Sequence, residues 1–226
     1  TRKGRRMAFL RSPSLIEASL VVRGDGVRLR LPQLADFAEW AALRGLSREH
    51  LRPFEPQWAA DELTIGAYRR RVRHYQTELR NQTGCAFLIT TEADDTLVGG
   101  VTLSNIRRGV SQSASIGYWI GRPHVRRGLM SAALAAMKPF CFEELRLHRL
   151  EAACLVSNQA SVATLRKAGF REEGLARGYL RIDGRWQDHL LFGLLAEDWD
   201  LERTRRPCAS RAPVRPSFRP SSPGAS

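Results

Sequence analysis

Between Ser115 and Phe170 the chain passes from a strand-like run into a basic turn, a helix, a second strand and a second helix. No other stretch constrains the fold as tightly. Ile116 to Ile120 reads as a strand, Val125-Arg126-Arg127-Gly128 makes the turn, and the Ala-rich run that follows has helical character. Arg149 to Val156 reads as the second strand. Asn158 then opens a helix that Gly169 closes. A strand, a basic glycine turn and a helix start together make an anion site. The first amides of a helix lack intrahelical acceptors, and the helix dipole favours negative charge beside them. Successive amides in such a turn form a concavity suited to a pyrophosphate. Arg126 and Arg127 add charge-assisted donors. The turn lacks the three glycines of a dinucleotide fingerprint and the Gly-Lys-Ser/Thr ending of a nucleotide-triphosphate loop.

Charge narrows the function classes once its placement is considered. The formal charge is +13 over 226 residues. With the four cations of residues 1–6 and the six arginines of residues 203–226 set aside, residues 7–202 carry only +3. A nucleic-acid reading built on the total would rest on the two flanks. A hydrophobic share of 43% suits one domain with a core. The expected division is a basic extension over 1–20, a domain over 21–202 and an Arg-, Pro- and Ser-rich disordered tail over 203–226. The front loosely mimics an organellar transit peptide but lacks a secretory core, and Met7 is a candidate start. Cys85, Cys141, Cys154 and Cys208 have no C-x-x-C spacing, so free thiols in a reducing cytoplasm are expected, with no metal. No apolar run approaches the roughly 18–20 residues that span a bilayer.

Along the rest of the chain, Val27 to Leu31 alternates as a first strand, and Pro32 begins a helix through Trp40 and Leu43. Leu51 to Trp58 is a proline-bearing loop. Asp61 caps a long polar helix that Asn81 and Gly84 stop. Cys85 to Thr91 and Thr96 to Ile106 form a hairpin, and Ser113 to Ile120 adds a third antiparallel strand. Pro139 should kink its helix. Ile182-Asp183-Gly184-Arg185 carries a type I′ hairpin signal, and a short helix follows near Ala196 to Glu202. These elements imply a mixed α/β fold, with a partly antiparallel central sheet of about seven strands flanked by helices.

Several segments resemble the GNAT superfamily of acetyl-coenzyme A-dependent N-acetyltransferases, and within it the RimJ-like, ribosomal-protein-alanine branch. They are Gly117-Tyr118-Trp119-Ile120-Gly121, Arg127-Gly128-Leu129-Met130, Leu147-His148-Arg149, Asn158-Gln159-Ala160-Ser161, Gly169-Phe170, Glu173-Gly174 and Gly178 to His189. Looser matches are Leu51 to Pro56 and the Val27 to Leu31 strand, so the likeness spans Val21 to Trp199. Val125 departs from the superfamily pattern, while Met130 fits the branch. The resemblance implies that the strand ending at Ile120 and the strand through Leu155 splay apart. Acetyl-CoA would lie in that gap, along the backbone of Trp119 and Ile120. Arg126, Arg127, Gly128, Leu129, Met130 and Ser131 would hold its pyrophosphate, and Asn158 would contact its arm. The implied acceptor is a ribosomal protein N-terminus, with the basic flanks drawing the enzyme to ribosomes.

Acyl transfer from a thioester to an amine needs a polarised carbonyl, a neutral amine and an exit for the thiolate. Ser161 is the candidate acid, because the family's common tyrosine position holds Leu165 here. Glu55, Glu151 and His148 are candidate bases, and a water relay is the alternative. Two rival readings remain at this level: the same fold acting on an antibiotic or polyamine, and a basic RNA-binding module. The sequence does not set the oligomeric state.

Overall fold

Residues 20–205 are described by a computed structural model, and their strands join into one eight-stranded sheet. The strands are β1 (Val21–Gly24), β2 (Val27–Arg30), β3 (Cys85–Thr91), β4 (Leu97–Arg107), β5 (Ser113–Ile120), β6 (Arg149–Leu155), β7 (Arg171–Ile182) and β8 (Arg185–Leu195). Their order across the sheet is β1-β2-β3-β4-β5-β6-β8-β7, antiparallel throughout except where β5 meets β6. The strand beyond the expected count is β1. It pairs with β2 through an Asp25-Gly26 turn, with Gly26 at φ 67°.

Helices cover both faces. On one lie α1 (Phe37–Leu46), α2 (Arg48–Leu51) and α3 (Ile65–Asn81). Trp40, Leu43, Tyr68 and Val72 bury there against Leu88 and Leu97. On the other lie α4 (Leu129–Pro139) and α5 (Gln159–Lys167), while α6 (Ala196–Arg205) follows β8. The larger core is on the α4 side, where Phe87, Ile89, Val101, Met137, Leu150 and Phe192 are nearly inaccessible. Alternation in β3 explains the division: Phe87 and Ile89 face one layer and Leu88 the other.

Several expected boundaries move. The cap of α3 is Thr64, whose Oγ1 accepts the Ala67 N–H at 3.2 Å; Asp61 instead pairs with Arg70. The helix ends in left-handed Gln82 at φ 57°, ahead of Gly84. Pro139 closes α4, and the chain continues as a π turn over Phe140–Glu144, with Leu145 N–H bonding to Phe140 O at 2.9 Å. The last helix runs three residues past Glu202. Asn158 caps α5 and left-handed Gly169 follows it, as expected. Asp183 and Gly184 have φ of 43° and 80°, as a type I′ turn requires. The extension over 1–19, Cys208 and the tail from 206 lie outside the described residues.

The feature that makes a site is the meeting of β5 and β6. They pair only through Ser113–Arg149, Ala114–Leu150 and Ser115–Glu151. Beyond Ser115, β5 stays with β4 as far as Ile120, and β6 stays with β8 as far as Leu155. The two halves of the sheet therefore diverge, as the resemblance implied.

Candidate active site

The divergence opens a cleft of about 410 Å³ between Ile116–Ile120 and Ala152–Leu155. Asn158, Ser161 and Leu165 of the α5 segment wall one side, and Glu55, Pro56 and Leu180–Ile182 roof it. The roof is tied down: Asp183 N–H bonds to Glu55 O at 3.0 Å, and Arg52 Nε reaches Asp183 at 3.4 Å.

At one end the cleft meets a larger basin of about 990 Å³ beneath the basic turn. Ile120, Arg126, Arg127, Gly128, Leu129, Met130 and Ser131 all line it, with His124 and Gln159. Arg126 and Gly128 are both left-handed, at φ 60° and 77°. Gly128 begins α4, whose first intrahelical bond runs from Ala132 N–H to Gly128 O at 3.0 Å. The amides of Leu129, Met130 and Ser131 thus precede the helical ladder, an arrangement that suits an anion. An added Cβ at Gly128 would meet nothing within 4 Å, so the backbone angle is what demands glycine there. Arg127 lies 3.4 Å from His124 Nδ1. Burial, then the Arg127 charge, hold His124 below its ordinary pKa, so the ring is neutral at pH 7.

In the middle of the cleft, Tyr118 Oη and Ser161 Oγ share a 2.8 Å hydrogen bond. Burial pushes the Tyr118 phenol up to about 12, so it stays a neutral donor across the working range. Asn158 Oδ1 accepts the Ser161 N–H at 3.1 Å, fixing the first turn of α5. Cys154 lies beside them, its thiol raised chiefly by burial. Sequence reasoning placed Ser161 and Asn158 here but assigned no role to Tyr118. The signal was its alternation in β5, which sends Tyr118 to the α5 side and Trp119 to the other.

The other end opens into a chamber of about 350 Å³ on the α1–α3 face. Glu55, Pro56, Gly117, Tyr118 and Trp119 line both spaces. Arg44 is the centre of the chamber wall. Its guanidinium donates to both Glu55 carboxylate oxygens at 2.7 Å. It lies 4.4 Å from the Trp58 ring and 5.0 Å from the Trp119 ring. Trp58 Nε1 adds a third donor to Glu55 at 2.8 Å. Gly100 makes room for Trp119, since a Cβ there would stand 2.6 Å from its Nε1. Sequence reasoning gave Arg44, Trp58 and Trp40 no part in a site. The hint was Trp40 and Arg44 four apart on one helix face.

The remaining base candidates lie elsewhere. Glu151 does not line the cleft; its carboxylate takes Arg107 at 2.7 Å and Arg149 at 3.1 Å. His148 Nε2 faces Glu197 at 3.1 Å. Among the described residues no group of His, Cys, Asp or Glu is arranged to hold a metal ion, and no helix is long and apolar enough to cross a membrane.

Comparison with known proteins agrees with this geometry. The family described as Acetyltransferase (GNAT) domain matches residues 27–171. A Bacillus subtilis protein described as a probable N-acetyltransferase, YjcK, is 35% identical over 79% of this chain and 98% of its own length. The Escherichia coli [ribosomal protein uS5]-alanine N-acetyltransferase is 29% identical over 77% of this chain and 90% of its own. Mycobacterium smegmatis RimJ, solved in complex with CoA-disulfide, superposes with a TM-score of 0.73 at 35% identity, covering 79% of this chain and 87% of that one. The split sheet, the basic turn and these relatives lead to one assignment: the chain belongs to the GNAT acetyltransferase family, in its RimJ-like branch.

Proposed function

We propose that the protein transfers acetyl from acetyl-CoA to the α-amine of a ribosomal protein N-terminus that begins with alanine. The observation that carries this reading is a cleft open at both ends, with an anion basin on one side and an aromatic chamber on the other. Acetyl-CoA fits the first end and supplies an activated acetyl group. Arg126, Arg127 and the free amides of Leu129, Met130 and Ser131 would hold its pyrophosphate. The diverging backbone of Trp119 and Ile120 would take its amide arm and polarise the acetyl carbonyl, and Asn158 would border the arm.

Proton handling falls to the Tyr118–Ser161 pair. Ser161 gives a proton to the departing thiolate, and Tyr118 replenishes or steadies that hydroxyl. On the amine side, Glu55 is the residue at the shared opening. Three donors already occupy it, which leaves about one acceptor position to orient an N–H. An α-amine averages about 7.7, so near neutrality a useful fraction is already unprotonated and water can carry the remaining proton away. Glu151, outside the cleft, has no part in this scheme. The alanine-first ribosomal substrate is supported by the named activity of the Escherichia coli relative, and under this reading the enzyme would work in the cytoplasm beside ribosomes.

The test is thiol release from acetyl-CoA with short peptides starting in Ala, Ser or Pro and with spermidine, and mass spectrometry to locate the acetyl group. Acetylation of the Ala peptide on its α-amine is expected. Turnover of spermidine alone would refute the reading.

A further inference from the structure

We propose that the outer face of α3 is a docking surface for the phosphate backbone of RNA. The helix carries Arg69, Arg70, Arg71, Arg73 and Arg80 against Glu78, a net +4. Residues 7–202 as a whole carry +3, so everything else in that span sums to one negative charge. Arg70 and Arg71 pair with Asp61 and Glu62 just ahead of the helix, so the charge left for a partner rests chiefly on Arg69 and Arg73.

Its distribution on the helix matters as much as its size. Arg69, Arg73 and Arg80 are exposed and recur at i, i+4 and i+11, which makes one stripe about 16 Å long. Arg69 and Arg73 have no carboxylate partner among the described residues. Arg80 hydrogen-bonds Thr77 at 3.3 Å. Arg70 and His74 flank the stripe, paired with Asp61 and Glu78. A merely solvated helix face mixes signs and gains from i,i+4 opposite pairs. Arg69 and Arg73 are instead like charges at i,i+4, an arrangement unfavourable to the isolated helix. A polyanion turns that cost into binding. The residue type points the same way, because a guanidinium takes phosphate oxygens two at a time.

Position links the surface to the reaction. Arg71 and Tyr75, on the adjoining side of the same helix, line the chamber. RNA held on the outer face would bring a protein terminus emerging from a nucleoprotein close to the chamber entrance. The docking itself does not depend on which amine is acetylated. RNA is favoured over a membrane because the described face carries arginines and, apart from Ile65 at its N-terminal edge, no exposed large apolar side chain to insert. Half-buried Gln76 and exposed Thr77 complete the stripe.

The experiment uses the full chain and a fluorescent RNA duplex of about 20 base pairs, titrated by anisotropy from about 50 to 300 mM KCl. Each lost phosphate contact should flatten the slope of log affinity against log salt by about 0.9. We expect Arg69→Gln/Arg73→Gln/Arg80→Gln to reduce that slope by about 2–3 and to weaken binding at least tenfold at the lower salt. The lysine triple, Arg69→Lys/Arg73→Lys/Arg80→Lys, should retain most of the affinity. Turnover of free peptide should be the same in all three proteins, and it reads the proposed function separately. An unchanged slope in the glutamine triple would overturn the proposal, as would loss of binding to anionic phosphatidylserine vesicles with RNA binding intact.

Discussion

The basin and the chamber flank the same few residues of β5 yet are built in opposite ways. The basin takes most of its functional groups from one contiguous stretch, Arg126–Ser131, and much of its chemistry is backbone: left-handed turn residues and unladdered amides. The chamber gathers Arg44 from α1, Glu55 and Trp58 from the following loops, Arg71 from α3 and Trp119 from β5. Its chemistry is side-chain pairing across large sequence separations. The first construction makes binding nearly independent of the core. The second makes the chamber part of the core, so that any role of its side chains is coupled to stability.

Arg44→Leu should break this contrast if it is false. The substitution strands Glu55 beside Glu62 and empties the space between two indoles. We expect a loss of about 3 kcal/mol, a Tm fall of roughly 6–12 °C, and partial recovery when Glu55→Gln is added. A Tm within a degree of the parent would show that the chamber is not structural.

Next in size is the shared middle of the cleft. Ser161→Ala keeps the α5 cap, which uses only the Ser161 backbone N–H. It should lower kcat about 10²-fold with coenzyme affinity unchanged, and Tyr118→Phe should lower it less. Presteady-state and steady-state rates with saturating acetyl-CoA check this. A parental kcat in Ser161→Ala would return the pair to packing.

On the basin side, Arg127→Glu replaces a donor with repulsion. Coenzyme A affinity by calorimetry should fall about tenfold or more while Tm stays put, the mirror image of Arg44→Leu. Equal affinity would remove Arg127 from the phosphate site.

The smallest effect sharpens the electrostatics. His124 is held below its ordinary value, so the fold prefers it neutral. As pH falls below about 6.5, the unfolded chain takes up this proton first, and stability drops toward the folded-state value. A bound polyanion opposes that depression. Coenzyme A binding near pH 6 should therefore take up protons, seen as a buffer-dependent binding heat that disappears in His124→Gln.

The same contrast explains what could be read in advance. The basic turn, the Asn158 cap and the Asp183-Gly184 turn were legible because each is written within a few consecutive residues, whereas the splay of β5 from β6 followed only from the family resemblance. The chamber was not legible. Glu55 was singled out as a base, but its engagement by Arg44 and Trp58 depends on how a loop folds back onto α1. Glu151 looked suitable for chemistry on its strand, and only the three-dimensional placement of Arg107, some forty residues earlier, reveals its occupation. Strand β1 escaped notice because four residues carry too little periodicity, although Asp25-Gly26 marked its hairpin. The start of α3 slipped from Asp61 to Thr64 because Thr is also a competent cap and Arg70 draws Asp61 away.

Glu151 has a further meaning in mechanical terms. The parting of β5 and β6 is a crack running through a sheet, and Glu151 pairs with Ser115 at its very tip. There Arg107 of β4 reaches across β5 to Glu151 while also bonding Ser113 at 3.1 Å, and Arg149 continues the chain to Glu173 of β7. Such a rivet ties four strands together at the point where opening stress would concentrate. Cutting the rivet is therefore expected to widen the aperture at Tyr118 and Ser161 without touching any residue that lines it.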